Sequence, residues 1–150
     1  MPNNIDYLPK HSGRLIGEDN SEVNVADLLQ SGIPVVAGTI YKKVTIAAGA
    51  SLSDEADVRL YKGCCLYMPA AWTTAGISFT SSLVSGGTFN PVDGDDGNEI
   101  TLVAAASRVV SVDIFSNGIG CLHFIKLQSG TSAAKVNQVA EAIIFLGLKG

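Results

Sequence analysis

The chain is 150 residues long, 47% hydrophobic, only 16% charged, and acidic overall with a formal net charge of −4. Its lysines and arginines are scattered rather than clustered to neutralise phosphates, and no apolar run reaches the ~18–20 residues that span a bilayer, so we expect neither a nucleic-acid nor a membrane partner. The length fits one domain with a sizeable core. Since an average soluble domain carries about 25% charged residues, this sparsely charged surface is suited to being covered by neighbours.

An irregular N-terminal arm opens the chain. Residues 1–20 contain prolines and glycines that interrupt any period, yet they are too apolar for a disordered tail. We therefore predict that the arm packs against its own domain or a neighbouring subunit. The predicted contact residues are Ile5, Tyr7, Leu8, Leu15 and Ile16. The polar start of the arm lacks the apolar region of a secretory signal, so we expect no export by that route.

One short helix is predicted over residues 24–30. Asn24 can serve as its N-cap, Asp27 falls in the first turn, and Gly32 can end it, while Pro34 prevents its continuation. We therefore divide the chain into residues 1–34, an arm with one short helix, and residues 35–150, a separate domain.

Alternation of apolar and polar residues with a period of two begins at Val35. It predicts strands over residues 40–46, 58–68, 77–83, 100–106, 108–115, 121–129 and 140–148, with a further short strand in the turn region after residue 46. Residues 121–129 are almost continuously apolar, which is typical of a central strand buried on both faces. Eight or nine short strands separated by turn signals predict an all-β fold, an antiparallel β-sandwich of the jelly-roll type.

The residues that most often carry chemistry are scattered. Cys64 and Cys65 are adjacent, so a strand would place them on opposite faces, and with Cys121 they make an odd count that is a poor disulfide framework. His11 and His123 are far apart in sequence, and no nucleophile motif or cofactor fingerprint is present. We expect no enzyme activity, no catalytic residues, no metal site and no cofactor.

A polar loop covers residues 93–99, from Asp93 to Glu99. Its carboxylates could offer oxygens to a calcium ion, but the spacing is not that of an EF-hand. The alternative is a solvated turn in which Asp, Gly and Asn supply the required backbone conformations. The sequence favours the turn and leaves the question of an ion open.

Trp72 follows a predicted strand and allows two interpretations. It can cap one end of the core, which we favour, or it can lie in a binding loop where its ring stacks on a sugar.

Several short motifs recur in a fixed order through the domain. The chain reads PAAW at residues 69–72, ISF at 77–79, GGTFNPV at 86–92, DGDDGNEI at 93–100, AASRVV at 105–110 and FIKLQSGT at 124–131, after GRLIGEDNSEVNVADLL at 13–29. The stretches that contain them, residues 13–29 and 66–149, cover most of the chain, and this order resembles that of virion structural proteins of tailed bacteriophages.

The resemblance implies a small virion protein, assembled in the host cytoplasm, that decorates or cements the capsid or sits on a head fibre or tail. Its expected partners are the major capsid protein or other virion proteins and further copies of itself, with a trimer as our expectation. In the decoration hypothesis the arm lies across a neighbouring subunit. The alternative is a tail- or fibre-associated module that binds a host surface glycan through Trp72. The sequence leaves open whether the protein sits on the head or the tail.

Overall fold

Nine β-strands and one short 3-10 helix make up the described part of this computed structural model, which covers residues 38–113 and 119–150. The strands are β1 (Thr39–Ile46), β2 (Ala56–Asp57), β3 (Gly63–Tyr67), β4 (Ile77–Ser82), β5 (Asn90–Pro91), β6 (Thr101–Leu102), β7 (Val109–Val112), β8 (Phe124–Ser129) and β9 (Ala142–Lys149). The 3-10 helix spans Ile119–Cys121. No helix within these residues is long and apolar enough to cross a membrane. The predicted arm, its helix and the boundary after residue 34 lie outside the described residues.

The strands pair like one long hairpin that has been folded over on itself. β1 pairs with β9, β2 with β8, β3 with β7, and β4 with both β5 and β6, all antiparallel. Two further antiparallel pairings, β3 with β9 and β4 with β8, join these pairs into two sheets. Sheet 1 has the order β1-β9-β3-β7, and sheet 2 has the order β2-β8-β4-β5 with β6 also on β4. This nested order is a jelly roll, so the predicted fold class is confirmed.

The core lies between the inner faces of the two sheets. In β9, Ile144, Leu146 and Leu148 are fully buried, and they alternate with residues that face the other side of sheet 1. From sheet 2, Phe79 and Leu127 are buried opposite each other. The central strand predicted over residues 121–129 is confirmed as β8, which runs between β2 and β4 with nearly all its side chains buried. It begins at Phe124, because Cys121 belongs to the 3-10 helix.

The predicted strand over residues 58–68 begins later than expected. Residues 58–62 form a turn, closed by a hydrogen bond from the Tyr61 amide to the Val58 carbonyl at 3.1 Å, and β3 starts only at Gly63. The backbone amide and the guanidinium of Arg59 both donate to the Asp57 carboxylate, at 2.7–3.1 Å. An Asp that bonds the backbone two residues onward favours a turn over an extended strand, which explains the error.

The predicted strand over residues 100–106 is also shorter than expected. β6 ends at Leu102, because Leu102 pairs with Ile77, the first residue of β4, and beyond that point β4 offers no partner. The predicted strand over 108–115 is described as β7 up to Val112, and its last residues extend into 114–118, outside the described part.

Leu66→Ala is expected to lower the free energy of unfolding by about 2–5 kcal/mol, since it leaves a cavity in a packed core. Leu66 is fully buried in β3, opposite both Val110 and Leu146. The matched control is Val103→Ala at a side chain that is 92% exposed, where we expect a change within about 0.5 kcal/mol. Urea denaturation measures both. Equal losses would contradict the placement of Leu66 in the core.

The Asp57–Arg59 ion pair is expected to make stability depend on pH in the acid range. Hydrogen bonds from Arg59 lower the pKa of Asp57 from its ordinary 3.8 to about 2. A carboxyl whose pKa is lower in the folded state stabilises the fold above its unfolded pKa, and this contribution is lost as the pH falls from 3.8 to about 2. Because both side chains are partly exposed, we expect less than about 1 kcal/mol. The dependence of the urea midpoint on pH across this range should be weaker in Arg59→Gln and unchanged in the control Arg108→Gln. An unchanged profile in Arg59→Gln would assign the pH dependence to other carboxyls.

Candidate interaction surface

The outer face of sheet 1 carries a cluster of exposed apolar side chains, which we call the aromatic face. It consists of Tyr41, Tyr67, Val109 and Phe145, which are 59%, 39%, 59% and 44% exposed, around Gly147. The register brings one residue from each strand together, because Tyr67 lies opposite both Phe145 and Val109, and Tyr41 lies opposite Gly147. A contiguous apolar patch on a folded domain often marks an interaction surface.

Gly147 lets the two tyrosine rings lie close to the backbone of the sheet. A Cβ atom at this position would come within 2.8 Å of the Cys65 Sγ and 3.2 Å of a Tyr67 ring carbon. The rings of Tyr41 and Tyr67 meet edge to face, with centroids 5.7 Å apart and planes inclined by 70°. This contact and the close packing on Gly147 hold the rings in place, so they form rigid anchors that lose little conformational entropy on binding.

The electrostatics of sheet 1 favour an acidic partner. Two lysines of its strands, Lys43 and Lys149, lie on the outer face, whereas Lys42 lies opposite the buried Leu146 on the other side of the sheet. Lys43 is exposed and lies opposite Phe145. A hydrogen bond with the Tyr41 hydroxyl raises the pKa of Tyr67 above its usual value of 10.0. The aromatic face is therefore apolar with a basic margin.

Sheet 2 presents a different outer face, which is already covered. The side chains of Ser78, Thr80 and Gln128 point away from the core but are buried. Loops and long side chains cover them: Ser78 donates to the Gly130 carbonyl at 2.9 Å, and the Lys126 amine lies 4.7 Å from the centre of the Phe89 ring. Among the residues that the structure describes, loops cover the outer face of sheet 2 and leave that of sheet 1 exposed.

The polar loop of residues 93–99, which we call the acidic hairpin, is inserted into one edge strand of sheet 2. β5 and β6 pair with successive parts of β4, and the hairpin leaves and re-enters between them, where the Ile100 amide donates to the Val92 carbonyl at 2.9 Å. Gly97 takes a positive φ of 79° at its tip. A charged insertion of this kind discourages pairing of the edge with another sheet.

The carboxylates of the hairpin are engaged in local hydrogen bonds. Asp96 accepts from the backbone and side-chain nitrogens of Asn98, both at 2.9 Å, which lowers its pKa. Burial raises the pKa of Glu99, but hydrogen bonds from Ser132 at 2.8 and 3.0 Å outweigh it and leave the pKa lowered. Within residues 38–113 and 119–150, no group of three or more His, Cys, Asp or Glu side chains could hold a metal ion. The geometry agrees with a solvated turn.

Trp72 caps one end of the core. Its side chain is 7% exposed, and its indole nitrogen donates to the Ala75 carbonyl at 3.2 Å. So little exposed ring gives a sugar no surface to stack on, and the glycan alternative gains no support at this residue. Sequence reasoning missed its neighbour Gln138, a fully buried amide that bonds the Thr73 backbone and the Ser129 hydroxyl at 2.8–3.2 Å. An isolated polar residue in a loop sequence gives no signal of this role.

The other candidate residues do not come together. The three cysteines are free. Cys64 and Cys65 lie on opposite sides of β3 as predicted: Cys64 is opposite the buried Leu148, and Cys65 lies beside Gly147 beneath the aromatic face. Burial raises the pKa of the Cys64 thiol to about 12, which makes it unreactive at neutral pH. Nδ1 of the exposed His123 lies 3.5 Å from the Leu83 carbonyl oxygen. The predicted contact residues of the arm, with His11, lie outside the described residues.

Gly147→Ala is expected to destabilise the fold by about 1–3 kcal/mol, because the new methyl group overlaps the Cys65 Sγ and presses on Tyr67. Adding Cys65→Ala removes the closest contact, so the double variant should recover part of the loss. Urea denaturation of both single variants and the double variant measures this coupling. Strictly additive effects would show that Gly147 and Cys65 do not contact each other.

Comparison with known proteins leaves the family of this chain open. No protein-family model matches the chain, and no curated protein matches it significantly. Among solved structures, the chain is similar to the crystal structure of the SPBc2 prophage-derived protein YomS, with a TM-score of 0.42 and 14% sequence identity. The match covers 77% of this chain and 98% of that chain. A likeness at this level carries no argument about function, and the fold assignment rests on the strand pairing described above.

Proposed function

We propose that this chain is a non-enzymatic structural protein of a tailed-phage virion that decorates or cements the capsid. The single observation that carries the proposal is the aromatic face, an open apolar surface on a jelly roll whose other sheet is covered. The order of sequence motifs supplies the phage context, as a resemblance. The proposed partners are the major capsid protein and further copies of this chain, in the virion after assembly in the host cytoplasm.

The size of the aromatic face suits a protein that binds as one of many copies. With strands ~4.8 Å apart and ~3.4 Å per residue, four strands of about five residues span roughly 300 Å². A stable interface between two proteins buries about 800 Å² on each partner, so this face alone supports a weak contact. On a symmetric shell such contacts are multiplied, and linkage to a second contact raises the effective affinity without new chemistry.

The space between the two described sheets is closely packed. A small apolar cavity lined by Val58, Tyr61, Cys64 and Leu148 has a volume of about 10 Å³, which is about the space of one water molecule. Most of the described strands' apolar side chains fill the space between the sheets. The proposed role uses the outside of this fold, through the aromatic face and the N-terminal arm.

The test is a binding assay with heads of the source phage purified without this protein. We expect saturable binding of the full-length chain. A full-length variant with Tyr7→Ser, Leu8→Ser and Ile16→Ser should bind at least about tenfold more weakly, because the arm loses its apolar contacts. The matched control is Val139→Ser, at an exposed apolar residue outside the strands of sheet 1.

Equal thermal unfolding of all the proteins would show that the substitutions act on binding. Failure of the unmodified chain to bind heads would overturn the capsid role and direct the search to tails and host glycans. Equal binding by the arm variant would show that the arm is not the anchor.

A further inference from the structure

We infer that the free edge of sheet 1, at β7, accepts an extended strand of a partner protein that carries a carboxylate side chain. The inference rests on the proposed function, because it names how this chain contacts another virion protein. The added strand becomes the fifth strand of sheet 1 and widens the aromatic face, to which Val109 of β7 already belongs. In such a complex main-chain hydrogen bonds give affinity, and pockets for alternate side chains give specificity.

The register of β7 determines which of its backbone groups are available. The Arg108 carbonyl accepts a hydrogen bond from the Met68 amide at 2.8 Å, so the backbone groups of Arg108 point toward β3. Because backbone groups alternate in direction along an antiparallel strand, the N–H and C=O groups of Val109 and Ser111 point away from β3. Among the described residues no strand pairs with β7 on that side, and both residues are exposed. Their four backbone groups can therefore pair with an added strand.

β7 lacks the protection that other edges of this fold have. It reads VVSV and contains neither a charged residue nor a proline. At β1, by contrast, the Asp54 carboxylate accepts from the Thr45 amide, and on sheet 2 the acidic hairpin interrupts the edge formed by β5 and β6. Proteins protect exposed edges with charges, prolines or bulges, because an unprotected edge is a template for another strand.

A groove lies along the same edge, between β7 and the segment 103–105 that follows β6. Its volume is about 390 Å³, within the roughly 300–1,000 Å³ of ordinary ligand clefts. Most of its lining is apolar and comes from Val103, Ala104, Ala105, Val109 and Val110. Because successive side chains of a strand point to opposite sides, every second side chain of an added strand can enter this groove.

Arg108 determines the charge that the partner strand needs. It is exposed, and it is the charged residue among those that line the groove. Within the described residues the ion pair joins Arg59 to Asp57, which leaves the Arg108 guanidinium without a carboxylate. A carboxylate on the added strand can accept two parallel hydrogen bonds from a guanidinium, which fixes the register as well as adding affinity.

The described edge strands of a second copy do not meet this need. β1 carries Lys42 and Lys43 and no carboxylate, and a second β7 would bring another Arg108 toward the groove. Like charges placed together oppose association. β2 and β5 are only two residues long. The charges therefore favour a strand from a different protein, which in the proposed function is the major capsid protein.

The first test measures amide hydrogen exchange of the full-length chain, free and bound to heads of the source phage purified without it. The amides of Val109 and Ser111 should exchange at least about tenfold more slowly in the bound chain, because each gains a backbone partner. The control is the amide of Lys43, in the other edge strand of sheet 1, which should exchange equally in both states. Protection at Lys43 with none at β7 would overturn the inference.

The second test blocks the edge without breaking the sheet. The Ser111 amide points away from β3, so Ser111→Pro removes a donor for the partner and no hydrogen bond of the ladder. We expect it to bind heads at least about tenfold more weakly, whereas Ser111→Ala, which keeps the amide, should bind normally. Thermal unfolding compares their stability. A folded Ser111→Pro that binds as tightly as the unmodified chain would contradict strand addition, and the exchange test decides if this variant does not fold.

The third test concerns the carboxylate. Arg108→Gln should weaken binding to heads by about three- to tenfold and reduce its dependence on salt, because one ion pair is lost. The matched control is Lys135→Gln, at an exposed residue outside sheet 1. Equal effects of the two substitutions would remove the carboxylate from the inference.

The two proposals fail in different ways. A chain that binds heads while Val109 and Ser111 exchange as in the free chain would remove strand addition and leave the capsid role standing. Slow exchange at Val109 and Ser111 in concentrated chain without heads would identify a copy of this chain as the occupant and overturn the assignment to another protein. A chain that does not bind heads would remove the capsid role and this inference with it.

Discussion

The antiparallel pairing of β9 between β1 and β3 is the constraint on which the rest of the structure depends. β9 lies at the end of the chain, yet it forms the centre of sheet 1, and its partners lie about 100 residues earlier in β1 and about 80 earlier in β3. Pairing β9 fixes where β1 and β3 lie, and the remaining pairs nest inside. Because contacts so distant in sequence cost loop-closure entropy before they stabilise anything, the buried Ile144, Leu146 and Leu148 must offset that cost together.

The same strand determines why sheet 1 has an open face. Alternation sends the leucines and Ile144 inward and leaves Phe145 and Gly147 outside. Gly147 has no side chain, so the rings of Tyr41 and Tyr67 settle over the backbone and approach each other edge to face. A larger residue there would push the rings apart and give a bulkier, less regular surface. The aromatic face is thus a consequence of core packing on the other side of the same strands.

Carboxylates lie at an edge of each sheet and hinder its pairing with another strand. At one end of β1, the Thr45 amide donates to the Asp54 carboxylate at 2.8 Å, and the Asp54 amide donates back to the Thr45 carbonyl at 3.2 Å. On sheet 2, the acidic hairpin interrupts the edge formed by β5 and β6. Exposed edges otherwise pair with any other edge, so these features direct association toward faces. Protected edges and an exposed aromatic face fit a protein that contacts its neighbours through that face.

The sequence by itself determined the local structure: the period of two, the turn signals, the doubly buried β8 and hence an antiparallel all-β sandwich. It also placed Cys64 and Cys65 on opposite faces, because alternation is a local property of an extended chain. Only the tertiary structure decided which strands pair, that β5 and β6 share one edge, that Asp57 turns residues 58–62 out of a strand, and that Trp72 and Gln138 lie inside. The aromatic face was also decided only by the tertiary structure. Tyr41, Tyr67, Val109 and Phe145 come from four strands, and a period tells which residues share a side of their own strand but not which strands become neighbours.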